Sequence, residues 1–131
     1  MSPLPDRVGI DQDDIDAITK AALDYLEGYV SADAERHLGS YHPEAIKRRY
    51  TQDEDGVFGI VSLSPQTMAD SAALQTPSEI EAEVVIDGVF NDIASVRVYS
   101  SRWVDFLHLA KARGEWRLFH VTWHPRNVAT E

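Results

Sequence analysis

Hydrophobic residues recur at two different periods in this sequence, a helical one near its beginning and an alternating one in its last two-fifths. From Ile15 to Tyr29 apolar residues return every third or fourth position, which predicts a long amphipathic helix with Asp11 as its N-cap. In the last part apolar and polar residues alternate one by one, which predicts strands. The four alternating runs span residues 79–87, 93–102, 103–112 and 115–124.

Two short helices and a β-hairpin are expected between these parts. Ser31 or Asp33 can cap the first of these two short helices. Ser64 followed by Pro65 is a common N-terminal sequence for the second. Because Pro43 disfavours helical geometry in the residue before it, the connection around Pro43 is expected to be irregular. The helices are predicted at residues 34–38 and from residue 65, and the hairpin strands at 45–50 and 57–63.

This order of elements predicts an α+β fold in which a curved antiparallel sheet wraps around the long N-terminal helix. A length of 131 residues suits one domain with one core. We therefore expect a single domain over residues 1–131, with residues 1–10 as a flexible N-terminal arm and residues 125–131 as a C-terminal tail.

The charge balance argues against nucleic acids and anionic membranes as partners. Twelve Lys and Arg stand against 22 Asp and Glu, for a formal net charge of −10, so a phosphate backbone would meet a repulsive field. The basic cluster Lys47-Arg48-Arg49 is followed by acidic residues 53–55, and we interpret it as solvated surface.

The sequence has no cysteine and no long apolar run, and these two absences limit the possible chemistry and the possible cellular location. The sequence contains no cysteine, which excludes disulfides, thiolate metal sites and cysteine nucleophiles. No run approaches the roughly 20 apolar residues of a membrane span, and residues 1–13 do not resemble a signal peptide. A soluble cytoplasmic protein is expected.

The last two strands are predicted to form a hairpin with Arg113-Gly114 as its turn. A two-residue turn determines which residues of the flanking strands lie opposite one another. Counted outward from the turn, the predicted partners are Leu118 and Leu109, His120 and Leu107, and Thr122 and Asp105.

Neither face of this hairpin is plainly polar, so both are expected to be covered. The helices would cover one face, which includes Asp105 and His120. A second subunit would cover the other, and the predicted homodimer interface consists of Phe106, Phe119, Val121 and Trp123.

Five short phrases support a family resemblance. They are YLEGY at 25–29, ADAER at 32–36, HPEA at 42–45, VDFL at 104–107 and GEWRL at 114–118. In this order and spacing they resemble the nuclear-transport-factor-two-like superfamily, and most closely the bacterial proteins called putative lumazine-binding, near the polyketide-cyclase-like (SnoaL-like) group.

The resemblance covers residues 14–124 and implies a cone-shaped, cystatin-like half barrel with a pocket between sheet and helices. It also implies a homodimer through the outer face of the sheet. It does not imply one activity, because the superfamily includes isomerases, cyclases, epoxide hydrolases, dehydratases and proteins without catalysis.

Asp105 and His120 are the candidate catalytic residues. A carboxylate on the inward face of a strand should have a raised pKa and could act as a general acid or base. In the predicted register His120 lies diagonal to Asp105, so the two could exchange a proton. The alternatives are an Asp105 that only accepts structural hydrogen bonds and a His120 that is a satisfied part of a pocket wall.

The ligand-binding candidates are polar or aromatic residues expected near the pocket. Two tyrosines one helical turn apart could present hydroxyls to a substrate, although most tyrosines at this spacing are core residues. Tryptophans could stack on a flat heteroaromatic ring, and His42 could either line the pocket mouth or hold a turn. The candidates are Tyr25, Tyr29, His42, Trp103, Trp116 and Leu118.

The sequence lacks several common catalytic signatures. It has no metal-binding histidine spacing, phosphate loop, nucleophile elbow or dinucleotide fingerprint, so no metal or cofactor is expected. The ketosteroid-isomerase-like relatives carry a catalytic aspartate soon after the second helix, where this sequence has no acid over residues 45–50. The Asp-Arg-Asp arrangement of the epoxide hydrolases cannot be assigned either.

The sequence is therefore compatible with three functions. The first is a small-molecule-binding protein of unknown ligand, with a pocket between sheet and helices. The second is a cofactor-independent lyase, isomerase or hydrolase that uses Asp105 with His120. The third and weaker one is a dimerisation module without a ligand.

Overall fold

Residues 11–126 are described by the computed structural model, and within them three helices and six strands follow one another. The predicted arm at residues 1–10 lies outside the described residues, as does the predicted tail from residue 127 onward. The elements are α1 (Gln12–Val30), α2 (Ala34–Gly39), β1 (Tyr41–Gln52), β2 (Phe58–Leu63), α3 (Pro65–Ala73), β3 (Ala82–Phe90), β4 (Ile93–Ser100), β5 (Trp103–Ala112) and β6 (Glu115–Pro125).

Each helix begins at a side chain that caps it. Asp11 accepts the backbone N–H of Asp14 at the start of α1, as predicted. For α2 the sequence left two candidate caps, and Asp33 is the one that accepts a helix N–H. Ser64 caps α3 ahead of Pro65, again as predicted. No helix within residues 11–126 is long and apolar enough to cross a membrane.

The six strands form one open sheet in the order β2-β1-β6-β5-β4-β3. The predicted α+β class is confirmed, with one difference in the sheet: β1 pairs with β6 in parallel, while the other neighbours are antiparallel. The expected irregular connection around Pro43 is wrong. Strand β1 begins at Tyr41, which pairs with Leu118, and an irregularity in the pairing before Ile46 accommodates the proline, which has no N–H to donate.

The core lies between α1 and the concave face of the sheet. Ile18, Ala22 and Leu26 are buried at helical spacing on α1 and pack against residues of β4, β5 and β6. Among the strand residues that are fully buried or nearly so are Val96, Val98, Leu107, Leu109 and Leu118.

The register of the last hairpin changes part-way along, which corrects the predicted pairing. The turn runs through Arg113 and Gly114, with φ of 54° and 81°, and Leu109 pairs with Leu118 as predicted. Beyond that pair a bulge places one extra residue, Phe119, on β6. The following partners are therefore His120 with His108 and Thr122 with Phe106.

A one-residue shift moves every later side chain of β6 to the opposite face. Val121 and Trp123 were predicted to face outward, but Val121 is fully buried in the core and Trp123 lies on the inner side. His120 was predicted to face inward with Asp105, but it stacks on His108, which faces outward. Of the four predicted interface residues, only Phe106 and Phe119 are exposed, at 51% and 46%.

Candidate functional site

A cavity of about 270 Å³ lies between the sheet and helices α1, α2 and α3. Most of its wall is apolar or aromatic, with Leu26, Leu63, Met68, Trp103 and Trp123 among the lining residues. A wall of this kind excludes water and strengthens any polar interaction inside it. The polar and titratable side chains in the wall are Tyr25, Tyr29, His37, Lys47, Thr67, Ser71 and Asp105.

Helix α1 supplies the two tyrosines, as their spacing predicts. Tyr29 is held by α3, since its hydroxyl lies 2.8 Å from Ser71 Oγ and accepts a hydrogen bond of 3.1 Å from Gln75. Its ring meets that of Trp103 edge to face, with centroids 5.8 Å apart. Tyr25 reaches the sheet instead.

Three buried polar side chains form a continuous chain along the cavity wall. Lys47 Nζ donates to the Tyr25 hydroxyl at 2.7 Å, and that hydroxyl donates to Asp105 Oδ1 at 2.6 Å. All three residues are at most 6% exposed. Asp105 Oδ2 is buried and has no hydrogen-bond partner among residues 11–126.

Lys47 was also predicted wrongly, as part of a solvated basic cluster. On β1 the side chains of Ala45 and Lys47 are buried, whereas those of Ile46 and Arg48 are exposed. The Lys47 ammonium lies 4.5 Å from the centre of the Trp123 ring and 4.9 Å from that of Tyr25. Two aromatic faces therefore replace part of its lost hydration.

Burial dominates the electrostatics of this chain of residues. It lowers the pKa of Lys47 to about 8, against the opposing effect of the Asp105 carboxylate. It also raises the pKa of Asp105, although Lys47 and the Tyr25 hydrogen bond oppose the rise. Burial therefore disfavours the charged forms of both Lys47 and Asp105, while their mutual attraction and the hydrogen bond from Tyr25 favour them.

His37 on α2 supports the site from behind Tyr25. Its Nδ1 lies 2.6 Å from the Tyr25 carbonyl oxygen, which can only accept, so Nδ1 carries the proton. Its Nε2 then accepts from the Tyr41 hydroxyl at 3.1 Å. Burial lowers the pKa of His37 to about 4, which keeps the ring neutral near neutral pH.

Four predicted site residues do not line the cavity. His42 accepts the backbone N–H of Glu44 at 3.1 Å, which is the turn role that the sequence left as the alternative. Trp116 donates its ring N–H to Asp14 at 2.9 Å, and Leu118 is fully buried in the core. His120 lies on the outer side of the sheet, 5.5 Å from His108 between ring centres, and so cannot pair with Asp105.

The structure brings together four of the residues singled out from sequence, namely Tyr25, Tyr29, Trp103 and Asp105. It adds Lys47, His37 and Trp123, which the sequence analysis did not select. The two-residue alternation with Ala45 could have indicated Lys47, whereas Trp123 follows from the bulge and left no signal in the sequence. Within residues 11–126, no three His, Asp or Glu side chains come together in an arrangement that could hold a metal ion.

Solved structures with a similar fold come from several bacteria. An NTF2-like protein of unknown function from Shewanella baltica OS155 is 22% identical, with a TM-score of 0.74 over 87% of this chain and 94% of its own. One from Methylobacillus flagellatus KT is also 22% identical, with a TM-score of 0.75 over 93% and 99%. A ketosteroid isomerase-like protein from Erwinia carotovora atroseptica SCRI1043 is 14% identical, with a TM-score of 0.64 over 92% and 100%.

The match at the level of sequence covers almost the whole chain. No curated protein matches the sequence. Residues 13–124, however, match the family described as putative lumazine-binding, and the fold is that of the NTF2-like structures above. The chain therefore belongs to the family described as putative lumazine-binding.

Proposed function

We propose that this protein binds a small, largely apolar molecule in the cavity and that Lys47 and Asp105 bind its polar group. The observation that carries the proposal is the buried chain of Lys47, Tyr25 and Asp105 with Asp105 Oδ2 left without a partner. Leaving such a group unsatisfied costs about 1–3 kcal/mol. A ligand that donates a hydrogen bond to this oxygen would recover that cost.

The size and lining of the cavity support a flat, compact ligand. Its volume of about 270 Å³ lies near the lower end of the usual range for ligand sites, about 300–1,000 Å³. Trp103, Trp123 and Tyr29 supply aromatic faces on which a planar ring can stack. The family description also favours a planar heteroaromatic compound of the lumazine type.

Native mass spectrometry of the gently purified protein tests the proposal directly. We expect each protomer to carry an added mass on the order of a few hundred daltons, the size that such a cavity accepts. The spectrum also reports the assembly mass. A bare protomer that also fails to bind added lumazine or naphthalenemethanol would contradict the proposal.

A titration with lumazine, followed by tryptophan fluorescence, locates the binding. Asp105→Asn removes the carboxylate charge while retaining an acceptor for Tyr25, so it should weaken binding about tenfold, as expected for a charged hydrogen bond. Asp87→Asn is the matched control, because Asp87 pairs with Arg97 on the exposed side of the sheet. Equal weakening in both variants would place the ligand elsewhere.

We also propose that the protein forms a homodimer through the outer face of the sheet. Phe106, Phe119 and Ile46 expose 51%, 46% and 40% of their surface. Ile46 pairs with His120, which pairs with His108, so Ile46 joins the outward row next to Phe106 and Phe119. Exposed apolar and aromatic side chains that share one face of a sheet favour an interface there.

A cofactor-independent lyase, isomerase or hydrolase is the second candidate, and one observation favours it. The unpartnered Asp105 Oδ2 lies on a carboxyl whose pKa is raised by burial, as a general acid or base requires. His120 has no part in this version, because Tyr25 contacts Asp105 instead. Turnover of a substrate would support this second function if its pH–rate profile lost one of its two limbs in the Asp105→Asn variant. A ligand that dissociates chemically unchanged would support binding alone.

A further inference from the structure

We propose that Lys47 is an amine nucleophile that forms an imine with the carbonyl carbon of an aldehyde or ketone bound in the cavity. This inference rests on the proposed binding function and adds the class of substrate. Nothing in the sequence pattern singled out Lys47 for such a role, and the proposal comes from its position in the cavity wall.

The three lysines of the chain lie in very different environments. Lys20 pairs with Asp24 at 2.6 Å, and Lys111 pairs with Asp14 at 3.0 Å, both at the surface. No carboxylate oxygen within residues 11–126 lies within the ion-pair distance of 4.0 Å from Lys47. Its nitrogen donates instead to a neutral hydroxyl and lies against two rings.

An amine must lose its proton before it can attack a carbonyl group. Burial holds the pKa of Lys47 at about 8, against about 10.4 for a lysine in water. About a tenth of Lys47 is therefore neutral at pH 7. The corresponding neutral fraction of an unperturbed lysine is lower by about two orders of magnitude.

Tyr25 and Asp105 supply the proton transfers that imine formation requires. In the first step the Nζ lone pair forms a bond to the carbonyl carbon, and the electron pair of the C=O bond moves to oxygen, which takes a proton. In the second step the C–O bond breaks, the oxygen leaves as water after taking a second proton, and nitrogen forms the C=N bond. Both protons come from Nζ, so aldehyde and amine give imine and water without an oxidant or reductant.

The hydrogen bonds of the site provide a route for these protons. Nζ donates to the Tyr25 hydroxyl, and that hydroxyl donates to Asp105 Oδ1. The other carboxyl oxygen, Oδ2, is unpartnered within the described residues. A proton held on Oδ2 can pass to the substrate oxygen while Oδ1 takes the proton of Tyr25 and Tyr25 takes one from Nζ. Tyr25 and Asp105 thus connect the atom that loses protons to the atom that gains them.

The cavity wall also limits the kind of carbonyl compound that fits. Trp103, Trp123 and Met68 offer aromatic and apolar surface, and the net charge of −10 disfavours polyanions. We therefore expect an aldehyde or ketone with a flat, uncharged body of up to two fused rings.

Reductive trapping with naphthaldehyde and sodium cyanoborohydride tests the proposal on the whole protein. Among the three lysines we expect the naphthylmethyl group on Lys47, located by peptide mapping that separates it from any label on the N-terminal amine, with an initial rate at least about tenfold above that at Lys20 or Lys111. Lys47→Met and Lys47→Arg should both abolish this product, and the arginine variant keeps the buried charge. Lys20→Met is the matched control and should be trapped like the wild type. Labelling that is equal at all three lysines, or unchanged in Lys47→Met, would overturn the proposal.

A parallel titration separates this inference from the proposed function. Naphthalenemethanol has the same ring system without a carbonyl group, and its binding is followed by tryptophan fluorescence. If the alcohol binds but the aldehyde is not trapped, the imine proposal fails and the binding proposal stands. If neither the alcohol nor lumazine binds and nothing is trapped, both proposals fail. Tyr25→Phe should slow trapping at Lys47 by at least about tenfold more than it weakens binding of the alcohol, whereas loss of a purely structural tyrosine would change both to a similar extent.

Discussion

At the scale of single residues, the cavity wall contains an amine, a phenol and a carboxyl group. Burial disfavours the charged form of each of them. Hydrogen bonds of 2.7 and 2.6 Å join them through Tyr25, and the low local dielectric makes these bonds strong. The same dielectric makes a group that has lost its partner costly. The three residues should therefore behave as one unit when they are mutated.

A double-mutant cycle on Lys47 and Asp105 measures this coupling. Lys47→Met leaves a buried carboxyl without its cation, so it should lower the free energy of unfolding by about 1–3 kcal/mol. Adding Asp105→Asn removes the remaining charge and should restore most of that loss. Urea unfolding of the four proteins at pH 7 gives the coupling energy. Strictly additive effects would show that the two groups do not interact.

The lowered pKa of His37 predicts how the free energy of unfolding depends on pH. Its pKa is about 4 in the folded protein and 6.5 when unperturbed, so between these values the unfolded chain binds a proton that the folded chain does not. Stability should therefore fall as the pH drops from about 6.5 to 4, by up to about 3 kcal/mol.

Unfolding free energies measured across this pH range test the prediction. His37→Gln cannot titrate but can still donate and accept hydrogen bonds, so it should lose this part of the pH dependence. Subtracting its curve from that of the wild type removes the contribution of Asp105, whose raised pKa acts in the opposite direction. Parallel curves for the two proteins would contradict the assignment.

At the scale of the elements, α1 and α2 approach each other closely at Gly28. A Cβ atom on Gly28 would lie 2.8 Å from the backbone nitrogen of His37, so the two helices would have to separate. This contact also places His37 behind Tyr25. The sequence indicates a glycine that weakens the end of α1, but only the packed structure shows that its lack of a side chain is what admits α2.

Gly28→Ala should therefore lower the free energy of unfolding by about 1–3 kcal/mol through overpacking, even though alanine is the better helix former. Gly39→Ala in α2 is the matched control, because a Cβ there meets nothing within 4 Å. That change should be neutral or stabilise by up to about 1 kcal/mol. Thermal unfolding of both variants, measured by circular dichroism, distinguishes the effect of overpacking from the effect of helix propensity. A Gly28→Ala protein as stable as the control would refute the contact.

For the strands, sequence patterns predict the bounds but not the changes of register between neighbours. Alternation predicts β5 with its observed bounds, Trp103 to Ala112, and β6 to within one residue. It also predicts the buried position of Asp105. It cannot predict the bulge at Phe119, because an extra residue leaves the local alternation of apolar side chains almost unchanged while exchanging the faces beyond it.

At the scale of the whole molecule, the outer face of the sheet has exposed aromatic residues that no described element covers. Phe106 and Phe119 are both about half exposed, at 51% and 46%. The double variant Phe106→Glu/Phe119→Glu would place charges within the proposed interface, so it should shift the protein from dimer to monomer in sedimentation velocity at micromolar concentration. Leu74→Glu changes a side chain that is 86% exposed at the end of α3 and should leave the assembly unchanged. A wild-type protein that sediments as a monomer would contradict the proposed dimer.

The sequence by itself determined the element types, the caps of α1 and α3 and the α+β class, because these depend on short-range periodicity and on residues a few positions apart. It also predicted that Tyr25 lies on the apolar stripe of α1 and that Asp105 shares one face of its strand with Trp103 and Leu107, and the structure shows that this face is the inner one. The tertiary structure decided the rest of the site. A bulge in β6 moved His120 to the outside and Trp123 to the inside, and the parallel pairing of β1 with β6 brought Lys47 against Tyr25. Such contacts join residues far apart in the chain, and local preferences carry no information about them.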